Sequence, residues 1–198
     1  AAMRLARIAP DKGFIVVEGQ ALAYVPIDFS STDEYLSRLS KSRRKNLRRK
    51  LKSRERLDIE AVPLGDARFD SLDVLEELYG LYLGVYAQSE IHFDLLTRDF
   101  FAGLLQSREI GGVVFCYRHD GELVAYNICL EHGGMLIDKY IGLRYPQARE
   151  LDLYFVSWFV NLEHALERSL RFYVAGWTDP EVKAGLGARF TFTRHLVW

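Results

Sequence analysis

The sequence has little of what staples a chain, binds metal or crosses a membrane. It holds two cysteines in 198 residues, Cys116 and Cys129, too few for a disulfide framework. Its five histidines are scattered without the spacing of a metal-binding helix or finger, so no metal site is expected. Five prolines and 15 glycines exclude collagen-like and low-complexity classes. The longest nearly unbroken apolar run, Leu153 to Val160, falls well short of the ~18 residues a membrane span requires. The start, Ala1-Ala2-Met3-Arg4, shows no apolar secretory core, and a soluble, cytoplasmic chain is expected. No Gly-x-Ser-x-Gly elbow is present, and no serine or cysteine is set up for a covalent intermediate. The remainder is ordinary: 49% hydrophobic, 27% charged, net charge -1. Such a chain forms one globular unit with a substantial core.

Cys116 and Cys129 fall on adjacent strands joined at Asp120-Gly121. A two-residue loop there sets Cys116 opposite Ala125 and Cys129 opposite Gly112, so both are expected as buried free thiols. His164, inside an apolar helix, reads as a core or boundary side chain.

The near-zero net charge conceals a local excess. From Lys41 to Arg56 there are ten basic residues and one acid, Glu55, giving the segment +9, while the rest of the chain sets 16 basic against 26 acidic residues. The stretch reads as a long helix beginning after Ser30-Ser31-Thr32, with Asp33 and Glu34 in its first turn and Leu36, Leu39, Leu47 and Leu51 as its apolar stripe. The bases occupy the remaining circumference. Either they pair with the acidic remainder, or Arg44, Arg48 and Lys52 form an anion surface for a phosphate, nucleotide or lipid headgroup. No aromatics interleave with the bases, so base stacking along this helix is not expected.

The periodicities predict a short hairpin of Phe14–Glu18 and Ala21–Ile27 around Gly19-Gln20, then the basic helix, then a strand over Leu57–Pro63. A helix over Ser71–Gln88 should turn Leu72, Leu75, Leu78, Tyr79, Tyr82 and Val85 inward. Thr97 should cap another, with Phe100, Phe101, Leu104 and Leu105 inward. A meander follows over Gly112–His119, Glu122–Glu131 and Gly134–Leu143, with turns at Asp120-Gly121 and His132-Gly133. Pro146 opens a largely apolar helix to Arg168; a strand over Arg171–Ala175, a short helix after Pro180 and a last strand over Arg189–Trp198 complete the order. A division into residues 1–56 (hairpin and basic helix) and 57–198 is expected, as one compact unit or part of a longer protein.

The order β-α-α-β-β-β-α-β-α-β from residue 57 resembles that of the GNAT superfamily of N-acyltransferases. The string Tyr35 to Lys52, YLSRLSKSRRKNLRRKLK, resembles the basic segment of its FemAB-like branch, which includes acetyltransferase-like domains of peptidoglycan-biosynthesis type. Asp138 to Leu143, Ala148 to Leu151, Leu153 to Phe155 and Tyr173 to Lys183 are similar to the same branch. The resemblance covers roughly residues 30 to 195. It implies an α+β fold: a GNAT-like mixed β-sheet with helices on both faces, preceded by the hairpin and the long basic helix.

The resemblance also implies a cleft between the Gly134–Leu143 and Arg171–Ala175 strands, where a donor lies with its pyrophosphate at the N-terminus of the Gln147 helix. The donor is acetyl-CoA or another acyl-CoA, or an aminoacyl-tRNA; the acceptor is a small-molecule amine. The superfamily usually carries Arg-x-x-Gly-x-Gly/Ala at this turn. Here the run is Arg144-Tyr145-Pro146-Gln147-Ala148-Arg149, with both glycine positions filled and one N–H removed by Pro146. Arg144, Gln147, Arg149 and Gly176 are therefore the donor-binding candidates, the arginines acting through their side chains.

With His132-Gly133 as a two-residue loop, Asn127 faces Asp138 and Ala125 faces Tyr140, which puts Asn127, Asp138 and Tyr140 on one face. This trio is either an internal hydrogen-bond network or a site, with Asp138 as base or amine-binding carboxylate and Tyr140 as proton donor. The resemblance adds Lys183 to the catalytic set, steering phosphate or carboxylate; Asn127 and Trp177 are the substrate-side candidates. Two function classes follow: direct acyl or aminoacyl transfer to an amine, or a non-catalytic module that binds an anionic partner through Lys41–Arg56.

Overall fold

The computed structural model describes residues 12–89 and 95–198. These fall into two compact units, a larger one over residues 26–173 and a smaller one made of residues up to 25 and from 174 onward.

In the larger unit the expected long basic helix is two helices. Helix α1 (Thr32–Ser37) is capped by Ser31, whose hydroxyl accepts from the Glu34 N–H, and α2 (Lys41–Lys50) is capped afresh by Ser40, which accepts from the Arg43 N–H. The chain breaks because Ser40 offers the backbone a new start where Leu39 would otherwise continue the turn. Glu34 in turn accepts from the Ser30 backbone N–H, from Arg38 and from the Ser30 hydroxyl, which hold its carboxyl at about 2. Beyond α2 the helix tightens to a 3-10 turn over Leu51–Arg56.

Strand β2 (Asp58–Pro63) is followed by a 3-10 turn, Ala67–Asp70, then by α3 (Leu72–Gln88) and α4 (Arg98–Gln106). The meander comprises β3 (Gly112–His119), β4 (Glu122–His132) and β5 (Met135–Leu143), and all three ladders from β2 to β5 are antiparallel. The turns are Asp120-Gly121 and Gly133-Gly134, each with φ > 0 at both positions, as two-residue hairpins require. After β5 come a one-turn helix α5 (Gln147–Glu150) and the long α6 (Leu153–Glu167). The single helix expected here is split at Asp152, whose φ of 51° takes the chain through the left-handed region. Strand β6 (Phe172–Gly176) starts beside β5: the Arg171 N–H donates to the Gly134 carbonyl at 2.8 Å, start against start. The pair is therefore parallel and the sheet mixed, with α6 as the crossover.

Helices cover both faces of this sheet. Leu75, Leu78, Tyr79, Leu81 and Tyr82 of α3 and Phe101, Leu104 and Leu105 of α4 pack on Val114, Cys116, Tyr126 and Ile128. Leu72 and Phe100, expected inward, are 76% and 53% exposed, while Leu81 takes a core place the periodicity missed. On the other face Phe115 meets the His164 ring of α6 edge-on at 5.2 Å. Cys116 and Cys129 are free, and they point to opposite faces, so no bridge can join them.

The smaller unit contains β1 (Ile15–Pro26) up to Val25, α7 (Pro180–Leu186) and β7 (Arg189–Val197). The expected hairpin at Gly19-Gln20 is absent. β1 is one strand with a bulge between Glu18 and Ala21, antiparallel to β7. Gly19 is needed for close approach, since a Cβ there would lie 2.2 Å from the Thr193 hydroxyl and 2.7 Å from His195 Nε2.

Gly142 has a comparable role in β5, because a Cβ there would fall 2.1 Å from the Tyr126 ring. Gly142→Ala should destabilise the protein by about 1–3 kcal/mol through overpacking. Gly103→Ala, on an open helical surface with nothing near its Cβ, should stabilise by about 0.5–1 kcal/mol. Urea unfolding of the two variants checks the contrast; equal midpoints would contradict it.

Candidate functional site

The geometry of the central strands turns on one irregularity. Ile128 pairs with Tyr140 and Cys129 pairs with Asp138, so Lys139 is an extra residue in β5. Such a bulge reverses the side-chain alternation across it. Asp138 then faces α6, and Tyr140 faces the α3–α4 core, where it packs against buried residues. The expectation that both share a face fails for this reason, and Tyr140 leaves the trio. The expected partners are shifted too: Asn127 lies opposite Ile141, and Ala125 opposite Leu143, because the turn is Gly133-Gly134 rather than His132-Gly133 and the Lys139 bulge adds one residue more. Likewise a bulge at Tyr117/Arg118 sets Cys116 opposite Tyr126 and Cys129 opposite Val113.

Asn127 and Asp138 remain on one side, joined through a residue that the sequence reading passed over. Tyr117 donates its hydroxyl proton to Asn127 Oδ1 at 2.8 Å, and Asn127 Nδ2 donates to Asn161 Oδ1 at 2.9 Å. Asn161 Nδ2 donates to Asp138 Oδ2 at 3.1 Å, and the Tyr173 hydroxyl donates to the same oxygen at 2.9 Å. Asn127 and Asn161 are fully buried. Burial also pushes the Tyr117 and Tyr173 hydroxyls and the Cys129 thiol well above their ordinary ranges, so all three stay protonated. The signal for Asn161 was its place: an amide in a helix that is apolar nearly all round must find partners or cost stability.

At the β5–α5 corner lies a cavity of about 290 Å³ lined by Lys50, Leu143, Tyr145, Ala148, Arg149, Asp152, Tyr154 and Phe155. Its cations come from two distant parts of the sequence. Lys50, the last residue of α2, reaches Asp152 Oδ1 at 2.6 Å and lies 3.7 Å above the Phe155 ring. Arg149 lies 5.4 Å from the Tyr145 ring centre and donates to Gln88 Oε1 at 3.3 Å. Arg144 does not line this cavity: its Nε donates to the Leu123 carbonyl at 3.1 Å and its guanidinium pairs with Glu122 at 3.4 Å. Gln147 opens α5, and its Oε1 is buried without a hydrogen-bond partner among the described residues.

The backbone at this corner satisfies itself. The Ala148 N–H donates to the Arg144 carbonyl at 2.8 Å, and the Arg149 and Glu150 N–H groups both donate to the Pro146 carbonyl. A phosphate here would be held by side chains, chiefly Lys50 and Arg149, rather than by a cradle of free N–H groups.

Of the other candidates, Gly176, Trp177 and Lys183 belong to the smaller unit. Gly176 has φ +80° and ends β6, and a Cβ there would come within 3.8 Å of Lys183 Nζ. Lys183 is buried, with 4% exposure, and Trp177 is at the surface. On the basic segment Arg44 donates to the Ser37 carbonyl at 3.1 Å, Arg48 pairs with Asp33 at 3.0 Å, and Lys52 is exposed. The basic segment meets α6 as well, where Arg54 pairs with Glu163 at 2.7 Å. Among the described residues no group of three or more His, Cys, Asp or Glu side chains could hold a metal ion.

A mixed sheet with helices on both faces and a crossover helix between its parallel strands defines an α+β architecture. The chain belongs to the acetyltransferase (GNAT) domain family, whose model matches residues 41–184. Among curated proteins, none matches it. Among solved structures it is similar to L-PGS from Bacillus licheniformis (TM-score 0.73, 12% identity, covering 98% of this chain and 64% of that one). It is also similar to FemX (TM-score 0.70, 12% identity, 95% and 66%). A third likeness is to a tandem GNAT protein from the clavulanic acid biosynthesis pathway (TM-score 0.54, 14% identity, 96% and 57%). At these identities the likeness is one of fold. The chain spans somewhat less than two thirds of the length of these structures.

The thiols offer a check on this geometry. Burial pushes the Cys116 thiol up to about 11 and raises the Cys129 thiol well above its ordinary range. A thiol reagent at pH 8 should label neither cysteine in the native protein and both in urea; rapid native labelling of Cys129 would contradict the buried network.

Proposed function

We propose that the chain transfers an acyl or aminoacyl group from a phosphate-bearing donor to an amine. The observation that carries the proposal is the cavity at the β5–α5 corner, where Lys50 and Arg149 stand among three aromatic side chains, Tyr145, Tyr154 and Phe155. Cations suit the phosphate of such a donor and aromatic walls suit its base. Five residues along β5, about 16 Å of extended strand, separate Leu143 in the cavity wall from Asp138. A donor anchored by its phosphates in the cavity would carry its carbonyl along the strand toward that carboxylate.

In the step envisaged, Asp138 takes a proton from the acceptor's ammonium group, and the freed amine attacks the donor carbonyl. The tetrahedral intermediate collapses with cleavage of the carbonyl–sulfur or carbonyl–oxygen bond, and the leaving thiolate or alkoxide takes up the proton that the attacking nitrogen gives up. The product is an amide, and no covalent enzyme intermediate is needed. Holding amine and carbonyl together supplies most of the acceleration.

The donor is acetyl-CoA, another acyl-CoA or an aminoacyl-tRNA. The matching family is one of acetyltransferases, which supports an acyl-CoA donor, and the fold likeness to FemX and L-PGS keeps an aminoacyl donor open. The self-satisfied backbone at Ala148–Glu150 favours a donor gripped by side chains. The concentration of bases on α2 supports a second reading, a non-catalytic module that docks an anionic partner. No helix among the described residues is long and apolar enough to cross a membrane.

Calorimetric titration with coenzyme A, acetyl-CoA and an aminoacylated RNA minihelix separates these readings. One donor should bind, and Lys50→Ala or Arg149→Ala should each weaken it about 10-fold, the loss of one charge-assisted contact. Binding that is abolished by Arg44, Arg48 and Lys52 reversals but unaffected at Lys50 and Arg149 would favour the docking module instead.

A further inference from the structure

The polar chain from Tyr117 to Asp138 runs in one direction, and that direction has a consequence for Asp138. Asn127 Oδ1 is taken by the Tyr117 hydroxyl, so Asn127 presents its Nδ2 to Asn161. Asn161 must then accept with Oδ1 and present Nδ2 to Asp138. Its carboxamide has one allowed orientation. The Tyr173 ring is held edge-on against Trp158 at 5.0 Å and is 1% exposed, so its hydroxyl too is fixed in place. Tyr173 and Asn161 are also joined to each other, Nδ2 to hydroxyl at 3.1 Å. Two donors from two different elements, α6 and β6, therefore converge on a single oxygen of Asp138.

We propose that Asn161 and Tyr173 are positioning residues, which hold the Asp138 carboxyl group in one rotamer and aim it at the acceptor amine. The assignment rests on the transferase reading given above. Apolar side chains of similar size would fill the same volume between α6 and the sheet without any need for partners. Two fully buried asparagines and two buried tyrosine hydroxyls instead form a line that ends on a half-buried carboxylate. A line that served packing alone would have no reason to end on the one acidic side chain facing α6 from the middle of β5. A carboxylate with freely rotating χ angles would spend little of its time in the geometry that takes a proton from the amine.

The test is a double-mutant cycle with two readouts. Tyr173→Phe keeps the ring and removes one donor; Asp138→Asn removes the acceptor's charge; Asn161→Leu, close in volume, provides a second arm should Tyr173→Phe fold poorly. Turnover is followed as release of free thiol from acetyl-CoA, or of deacylated RNA from an aminoacylated minihelix, with a panel of amines. Urea unfolding is measured alongside to normalise for folded protein. Tyr173→Phe and Asn161→Leu should each lower kcat about 10- to 100-fold with the donor KM unchanged, the range for a misplaced catalytic group. In the Asp138→Asn background neither should cost anything further, because both act through that carboxylate. Multiplicative losses, or a wild-type kcat per folded molecule in Tyr173→Phe and Asn161→Leu, would overturn the assignment and leave the transferase reading standing. A wild-type protein inert with every donor and amine would count against the transferase reading itself, and the assignment would fall with it.

Discussion

The Asn161 carboxamide ties α6 to the sheet in the middle of its apolar face, accepting from Asn127 on β4 and donating to Asp138 on β5. Around it the helix is packed with Val156, Trp158, Phe159, Val160 and Leu162, all buried. An amide in such surroundings is costly unless every partner is in place, by about 1–3 kcal/mol for each group left unsatisfied. This makes the strand register strict. A slip of β5 by one residue against β4 would turn Asp138 away from the helix and strand the amide. The bulge at Lys139 is part of the same constraint, since without it Asp138 would not stand on the α6 side while Tyr140 fills the opposite core.

The second tie joins the basic segment to the β5–α5 corner. Lys50 bridges from α2 to Asp152, the residue whose left-handed backbone separates α5 from α6, while the Ser53 hydroxyl donates to the Leu151 carbonyl at 2.6 Å. The cationic helix is therefore not a loose appendage to the larger unit. Its end builds one wall of the cavity, and its exposed bases continue outward from there. A donor with several phosphates would meet side-chain cations where related folds are expected to offer backbone, in keeping with Gln147 and Arg149 at the positions of small residues.

The architecture was legible in the sequence because it rests on signals that single residues carry: the Asp-Gly turn, Thr97 as a cap, the apolar runs of β3 and β4, and the apolar helix after Pro146. Asp138 and Asn127 were also legible as polar residues on central strands. What failed were features set by tertiary packing. The bulges at Tyr117/Arg118 and Ile128/Cys129 carry no local residue signal, and each shifts every pairing beyond it. The Gly19 bulge was mistaken for a turn because glycine serves both needs, and only the nearness of Thr193 and His195 tells them apart. Lys50 was lost among ten bases, since nothing local marks which of them reaches back to Asp152. Asn161 was visible as a lone amide in an apolar helix, but its partners lie 23 and 34 positions away along the chain.

The account depends on the amide line being closed to solvent and anchored at Asp138. Proton exchange of the asparagine side-chain amides, followed by nuclear magnetic resonance in the native protein, tests this directly. The Asn127 and Asn161 side-chain protons should exchange only through global unfolding, and Asp138→Ala should speed Asn161 while leaving Asn127 protected. Exchange of both at the rate of surface asparagines such as Asn46, or no response of Asn161 to Asp138→Ala, would contradict it.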